Sequence, residues 1–367
     1  MNRPKVPFVA LNLQYLELRE ELMKKFDEVS SSGNYVLGGY LEKFESEFAE
    51  YCDAKYAVGV GNATDGISIV VKSLGLKSGD EVITVPNSFI ATAGALGVHG
   101  IKPVFVDVRN DFNIDPKLIE QAITAKTRAI MPVHLTGRPA DMDPIMSIAK
   151  ERGLYVIEDA AQAVGAKYKG RMVGSIGDAA VFSLHPLKNL HVHGDGGIIT
   201  TSDENLNTKL RKMRNHGLIN RDECEVWGFN SRLDSLQAAI GSIKLKKLDI
   251  WNGRHREIAG RYSDVLSRYV KTPEWNDEFE SVFHCYVVIT EDRSKLQTYL
   301  SEKGIETKVH YPIPIHLQKA AKDLNYNNGS FPNTEFLSPR ILSLPIYPEL
   351  TDNQVQYVCD EISKYFS

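Results

Sequence analysis

The sequence predicts an α/β fold, a mostly parallel sheet of seven strands covered by helices, followed by a smaller α+β unit toward the C-terminus. Two observations predict it. Between Tyr56 and Thr201 short runs rich in Val and Ile alternate with helix-like stretches, the rhythm of parallel strands joined by helical crossovers. Past residue 250 that rhythm gives way to helix and a few isolated apolar runs. A large unit over residues 1–250, including the N-terminal segment, and a small unit over residues 251–367 follow from that change. With 367 residues and 43% hydrophobic content, the chain has material for a large core and an accessory one.

The seven strands are expected at residues 56–60, 81–85, 103–106, 129–134, 155–157, 179–183 and 197–200. Between them, residues 64–74 read as a helix with Ile67, Val70, Val71 and Leu74 on one face, and residues 144–150 as another. A longer helical region spans about 232–268. The apolar run 282–290 then pairs with the segment 307–311, and the polar stretch 324–331, with its Asn-Asn-Gly, reads as a surface loop. No internal repeat or low-complexity tract interrupts the pattern.

A net charge of -4 gives no electrostatic case for a nucleic-acid partner, which needs a clustered basic excess. Cys52, Cys224, Cys285 and Cys359 are scattered without CxxC spacing, so neither a zinc site nor a disulfide framework is expected. The first residues lack an apolar signal core, and no stretch approaches the ~18 apolar residues of a membrane span. A cytoplasmic enzyme without metal is the expectation.

In open parallel sheets ligands collect at the carboxyl ends of the strands. There the sequence holds Phe182-Ser-Leu-His-Pro-Leu-Lys-Asn-Leu-His-Val-His-Gly-Asp-Gly-Gly197, which sets Lys188 between a strand end and a glycine-rich turn. A lysine in a confined site loses part of its preference for charge and acts as an amine nucleophile; the alternative is an exposed loop lysine. In Ile157-Glu-Asp-Ala-Ala-Gln162 the strand ends in Asp159, a carboxylate able to hold a proton on a pyridine nitrogen, or else to cap the next helix. Gln162 is placed to donate to a phenolic oxygen. In Val58-Gly-Val-Gly-Asn-Ala-Thr-Asp-Gly66 a strand passes through glycines into a helix start, where free N–H groups and the helix dipole make an anion site. Thr64 is equally an ordinary N-cap. Phe89, after the second strand, stacks on a flat ring if it shares the site and is otherwise a core aromatic.

Together these pieces resemble the DegT/DnrJ/EryC1/StrS family of pyridoxal-phosphate (PLP) sugar aminotransferases, of the aspartate-aminotransferase fold type I. The resemblance runs from Gly33-Asn-Tyr-Val-Leu-Gly-Gly39 and Phe44-Glu45 to His310-Tyr-Pro-Ile-Pro-Ile-His316, almost the whole chain. It implies that Lys188 binds the cofactor covalently and then shuttles the proton between cofactor and sugar carbon. It implies that Asp159 meets the pyridine nitrogen, Gln162 the phenolic oxygen and Phe89 the ring face. Ala63, Thr64 and Ser183 would hold the phosphate. Asn230, in Gly228-Phe-Asn-Ser-Arg-Leu-Asp234, would reach the phosphate of a neighbouring subunit, so a homodimer with shared active sites is implied. The phosphate turn departs from the family's more usual Ser-Gly-Thr-Asp, reading Gly-Asn-Ala-Thr-Asp. Related dehydratases carry histidine in place of the lysine; Lys188 therefore favours transamination.

The implied reaction moves an amino group from L-glutamate to a nucleotide-linked keto sugar, with the cofactor passing through pyridoxamine phosphate. Residues 230–234 and 310–316 look closer to members acting on 3-keto sugars, which points to a dTDP-3-keto-6-deoxyhexose, with UDP- or GDP-4-keto sugars as the alternative. Tyr311, His316 and Tyr35 are the substrate-side candidates. A PLP sugar dehydratase and a non-enzymatic regulator on the same fold are the rival classes.

Overall fold

The computed structural model describes residues 5–367. Strands β1 (Tyr56–Val60), β2 (Glu81–Thr84), β3 (Lys102–Phe105), β4 (Thr127–Ile130), β5 (Tyr155–Asp159), β6 (Ala179–Ser183) and β7 (Gly197–Thr201) form one sheet in the order β1-β7-β6-β5-β4-β2-β3. β7 pairs antiparallel with both its neighbours, and the remaining pairings are parallel. Only β7 runs against the others, so the carboxyl ends of β2, β5 and β6 share one edge.

The strands lack polar alternation because both faces are covered. On one face Val58, Val60, Val181 and Ile199 pack under helix α3 (Ala63–Ser73), whose Ile67, Val70 and Val71 form its buried stripe. Gly66 lets that helix lie close: a Cβ there would stand 2.6 Å from Val181 Cγ1. On the other face Phe182, Ala180 and Ile198 meet Phe44 and Phe48 of α2 (Gly39–Tyr51). Glu45, beside Phe44, is buried because it is satisfied on several sides: it accepts the Gly59 N–H at 2.8 Å and pairs with Arg211 at 2.7 Å and with Arg214. Burying the carboxylate without those partners would cost several kcal/mol.

A second core gathers Ile258, Tyr262, Tyr286, Leu300, Leu344, Val358 and Ile362 around a two-stranded ladder. Here three sequence expectations are corrected. Tyr286–Ile289 pairs antiparallel with Ile341–Leu344, and the segment around Lys308 bridges Ser343 on the far side of that partner; such pairing between distant segments leaves no local mark. The helical region 232–268 is two helices, Ser235–Leu245 and Leu248–Leu266, and the turn between them leaves Leu245 and Leu248 in the sheet core while Tyr262 and Leu266 enter the second. Phe331, expected in a surface loop, is buried against Phe105 and His316. Val6 joins this second core and bridges Ile305.

Candidate active site

A cavity of about 710 Å³ opens at the carboxyl edge of the sheet, between it and the second core, within the size range of ligand pockets. β5 ends there. Strand alternation sends Glu158 and Asp159 to opposite sides. Glu158 turns away from the cavity, taking N–H bonds from Gly174, Ile176 and Gly177 and pairing with His134 at 3.0 Å. Asp159 lines the cavity, accepting from Thr92 Oγ1 at 2.7 Å and from the Ala161 N–H at 3.2 Å. Burial raises its pKa, and no cation of the chain lies within ion-pair reach among the described residues. Such a carboxylate is poised to hold a protonated ring nitrogen.

Lys188 sits on the loop after β6. Its N–H donates to His185 O at 2.8 Å, and its carbonyl accepts from the His191 Nδ1–H at 2.9 Å, which fixes the backbone on both sides. The side chain lines the cavity, and burial pushes its pKa down from the usual lysine value. Nζ lies 3.5 Å from His284 Nε2. His284 Nδ1 meets Asn189 Oδ1 at 3.2 Å, so with Nδ1 as donor, Nε2 is left to accept from the amine.

The start of α3 forms the third wall. The Asn62 side chain caps the helix by accepting the Asp65 N–H at 2.8 Å, while Ala63 and Thr64, whose N–H groups have no acceptor inside a helix, line the cavity. Asp65 is engaged elsewhere, accepting from Ser231 Oγ at 2.6 Å. Gly197 sits directly beneath, where a Cβ would come within 2.5 Å of the Asn62 carbonyl carbon. Ser183 also lines the cavity. Gln162 Oε1 accepts the Thr136 N–H at 2.8 Å, and its amide donates to the Tyr311 hydroxyl at 3.3 Å. Phe89, 53% exposed, lies across from Tyr311 with ring centroids 5.6 Å apart.

The fold thus brings Lys188, Asp159, Gln162, Ser183, Ala63, Thr64, Phe89 and Tyr311 to one cavity. His316 does not join them: its imidazole is buried against Glu335 at 3.0 Å and the edge of Phe331. The chain turns away after Tyr311, anchored by the Ile315 N–H on Pro86 O at 2.7 Å. Tyr35 is exposed, its hydroxyl on Ser30 O, and Asn230 bridges Asn215; neither lines the cavity of its own chain. Sequence reasoning missed Thr92, His284, His310, Gln14 and Glu349 as cavity residues. Thr92 lies in the segment that holds Phe89 and could have been found from its place one helical turn on.

An amine, a carboxylate, unpaired N–H groups at a helix start and an aromatic face around one cavity suit a flat, phosphorylated, carbonyl-bearing ring. The chain matches the DegT/DnrJ/EryC1/StrS aminotransferase family over residues 16–363 and belongs to it. It is 46% identical over 366 residues to a pleiotropic regulatory protein of Geobacillus stearothermophilus, covering 98% of each chain. It is 42% identical over 365 residues to the dTDP-3-amino-3,4,6-trideoxy-alpha-D-glucose transaminase of Streptomyces venezuelae, covering 99% of this chain and 96% of that one. Its fold superposes with a TM-score of 0.92 on NtdA from Bacillus subtilis with bound cofactor PMP, at 35% identity, covering 100% of this chain and 86% of that one. No helix among the described residues is long and apolar enough to cross a membrane.

Proposed function

We propose that the chain is a PLP-dependent aminotransferase that moves an amino group from L-glutamate to the 3-keto group of a dTDP-linked 6-deoxyhexose. The observation that carries this reading is the convergence of Lys188, Asp159 and the N–H groups of Ala63 and Thr64 on one cavity. When bound, PLP supplies an electron-accepting ring next to the carbon from which a proton is removed. The residues fit it. Ala63, Thr64 and Ser183 would hold the phosphate, Asp159 would keep the ring nitrogen protonated, Gln162 would meet the phenolic oxygen and Phe89 would cover one face. Lys188, its charge disfavoured by burial, would hold the cofactor and carry a proton at Nζ as base and acid, with His284 Nε2 as the acceptor that orients it. Tyr311 stands on the substrate side.

The transaminase relative supports the 3-keto sugar and the dTDP carrier. The exposed segment around Trp227, 93% exposed, with Asn230 outside its own chain's cavity, supports a homodimer with shared sites. The visible absorbance of the purified protein, recorded before and after L-glutamate, tests the reading. A band that glutamate abolishes and a dTDP-3-keto sugar restores is expected. A band indifferent to glutamate favours dehydratase chemistry, and no band even after PLP is supplied favours the regulatory role that the Geobacillus relative's name suggests.

A further inference from the structure

Among the described residues the hydrogen-bond partner of Lys188 Nζ is His284 Nε2, and what that nitrogen offers depends on where the ring carries its hydrogen. Burial, with the charge of Lys188 second, drives the pKa of His284 well down, so the ring is neutral and has a single N–H. Behind it stands Asn189, whose Oδ1 lies 3.2 Å from His284 Nδ1. An amide can be turned end for end, and its surroundings decide which end points where.

Here two backbone carbonyls decide. Val282 O lies 3.0 Å from the amide nitrogen of Asn189, and a carbonyl only accepts, so Nδ2 faces it and Oδ1 faces His284. Asn189 Nδ2 also donates to Asn252 Oδ1 at 2.9 Å. Asn252, 1% exposed on the helix Leu248–Leu266, is fixed in the same way: its Nδ2 donates to Val164 O at 3.0 Å, which turns its oxygen toward Asn189. His255, on the same helix, brings Nδ1 within 2.9 Å of Asn189 Nδ2 and 3.1 Å of Val282 O; burial pushes its pKa down to about 4, so this ring too is neutral. A reversed Asn189 would set its oxygen against Val282 O and Asn252 Oδ1, acceptors with no donor between them, which is costly away from water. The Asn189 oxygen therefore takes the Nδ1–H of His284, and Nε2 keeps its lone pair toward Lys188.

We propose that Asn189 and Asn252 are positioning residues that lock His284 in its Nδ1–H form, so that the Lys188 amine donates to Nε2 and keeps its own lone pair free for the cavity. In the other form Nε2–H would donate into that lone pair, and the amine would have to break the bond before attacking a carbonyl carbon or taking up a proton. This deepens the role given to Lys188 above and rests on it.

The tautomer is read first, without cofactor, from long-range 1H–15N correlation spectra of the apoprotein labelled with 15N-histidine, His284 being assigned by its absence in His284→Gln. A single Nδ1–H form is expected, and an Nε2–H form in the wild type overturns the proposal whatever the variants do. Asn189→Leu removes the lock, and one hydrogen bond to the amine then favours the Nε2–H form roughly tenfold. Capture of PLP is followed by stopped flow as the visible band that forms when Nζ bonds the aldehyde carbon and water leaves. In Asn189→Leu it should slow roughly tenfold. Affinity for pyridoxamine phosphate, which makes no bond to Lys188, should stay within about twofold. A changed tautomer with an unchanged capture rate, or an equal loss for pyridoxamine phosphate, overturns the proposal. A wild type that holds the Nδ1–H form yet gives no band with PLP supports the lock and overturns the cofactor reading of Lys188.

Discussion

Replacing Gly197 by alanine probes the link between sheet and helix start. Gly197 opens β7 and is held in register by Val60 on one side and Ser183 on the other. A Cβ on it would stand 2.5 Å from the Asn62 carbonyl carbon, and 2.8 Å from both Asn62 O and Ala63 N, where ordinary contact begins at 3.4 Å. Every one of those atoms is backbone, so no side chain can swing away, and a strand bonded on both edges yields less than a helix end. The first turn of α3 must retreat by about 0.9 Å, the difference between 3.4 and 2.5 Å. That displaces the N–H groups of Ala63 and Thr64. Overpacking of this kind costs about 1–3 kcal/mol of stability, and a misplacement near 1 Å costs up to about 100-fold where geometry matters. Titrating the apoprotein with PLP by visible absorbance should show an affinity loss of roughly 10- to 100-fold, and urea denaturation a lowered midpoint. Wild-type values in both would refute the packing argument. A lowered midpoint with unchanged PLP affinity would show that the anion is not held at the start of α3.

Further outcomes are expected. Asp159→Asn should stabilise the apoprotein at neutral pH: burial raises this carboxyl's pKa from 3.8, so folding is penalised above the raised value and not below 3.8. Urea midpoints of variant and wild type should therefore converge as the pH falls toward 4, while the variant retains PLP less well; a less stable variant at pH 7 would contradict this. Burial lowers the pKa of Lys188 below 10.5, so in the apoprotein its amine should react with trinitrobenzenesulfonate at a lower pH than the exposed lysines do. Peptide mapping of the labelled lysines across pH checks it, and a Lys188 that labels along with the surface set would sink the claim. Gly253→Ala, on Leu248–Leu266 with nothing within 4 Å of the new Cβ, should add up to about 1 kcal/mol to stability and leave PLP affinity unchanged. A lowered urea midpoint would mean that this helix turn is not free.

Much of the site was legible because its residues lie at strand ends and one helix start. Once alternating apolar runs establish a parallel sheet, the ends of β5 and β6 and the start of α3 must share an edge, and Asp159, Ser183, Lys188, Ala63 and Thr64 come with them. Other residues carry no such address. His316 follows Tyr311 by five positions in the same His-Tyr-Pro-Ile-Pro-Ile-His run, yet one lines the cavity and the other is buried against Phe331, because the chain between them is pinned to Pro86.

The sequence by itself determined the sheet, the helices against it, and the amine and carboxylate at its carboxyl edge, since local periodicity and strand-end chemistry act over a few residues. Only the tertiary structure decided what closes the cavity from the far side. Gln14, His284, Glu349 and the partner of Tyr286–Ile289 come from segments up to hundreds of residues apart, joined by burial of a shared core around Tyr262 and Leu344. That burial is non-directional and long-range, and so leaves no pattern within any one segment.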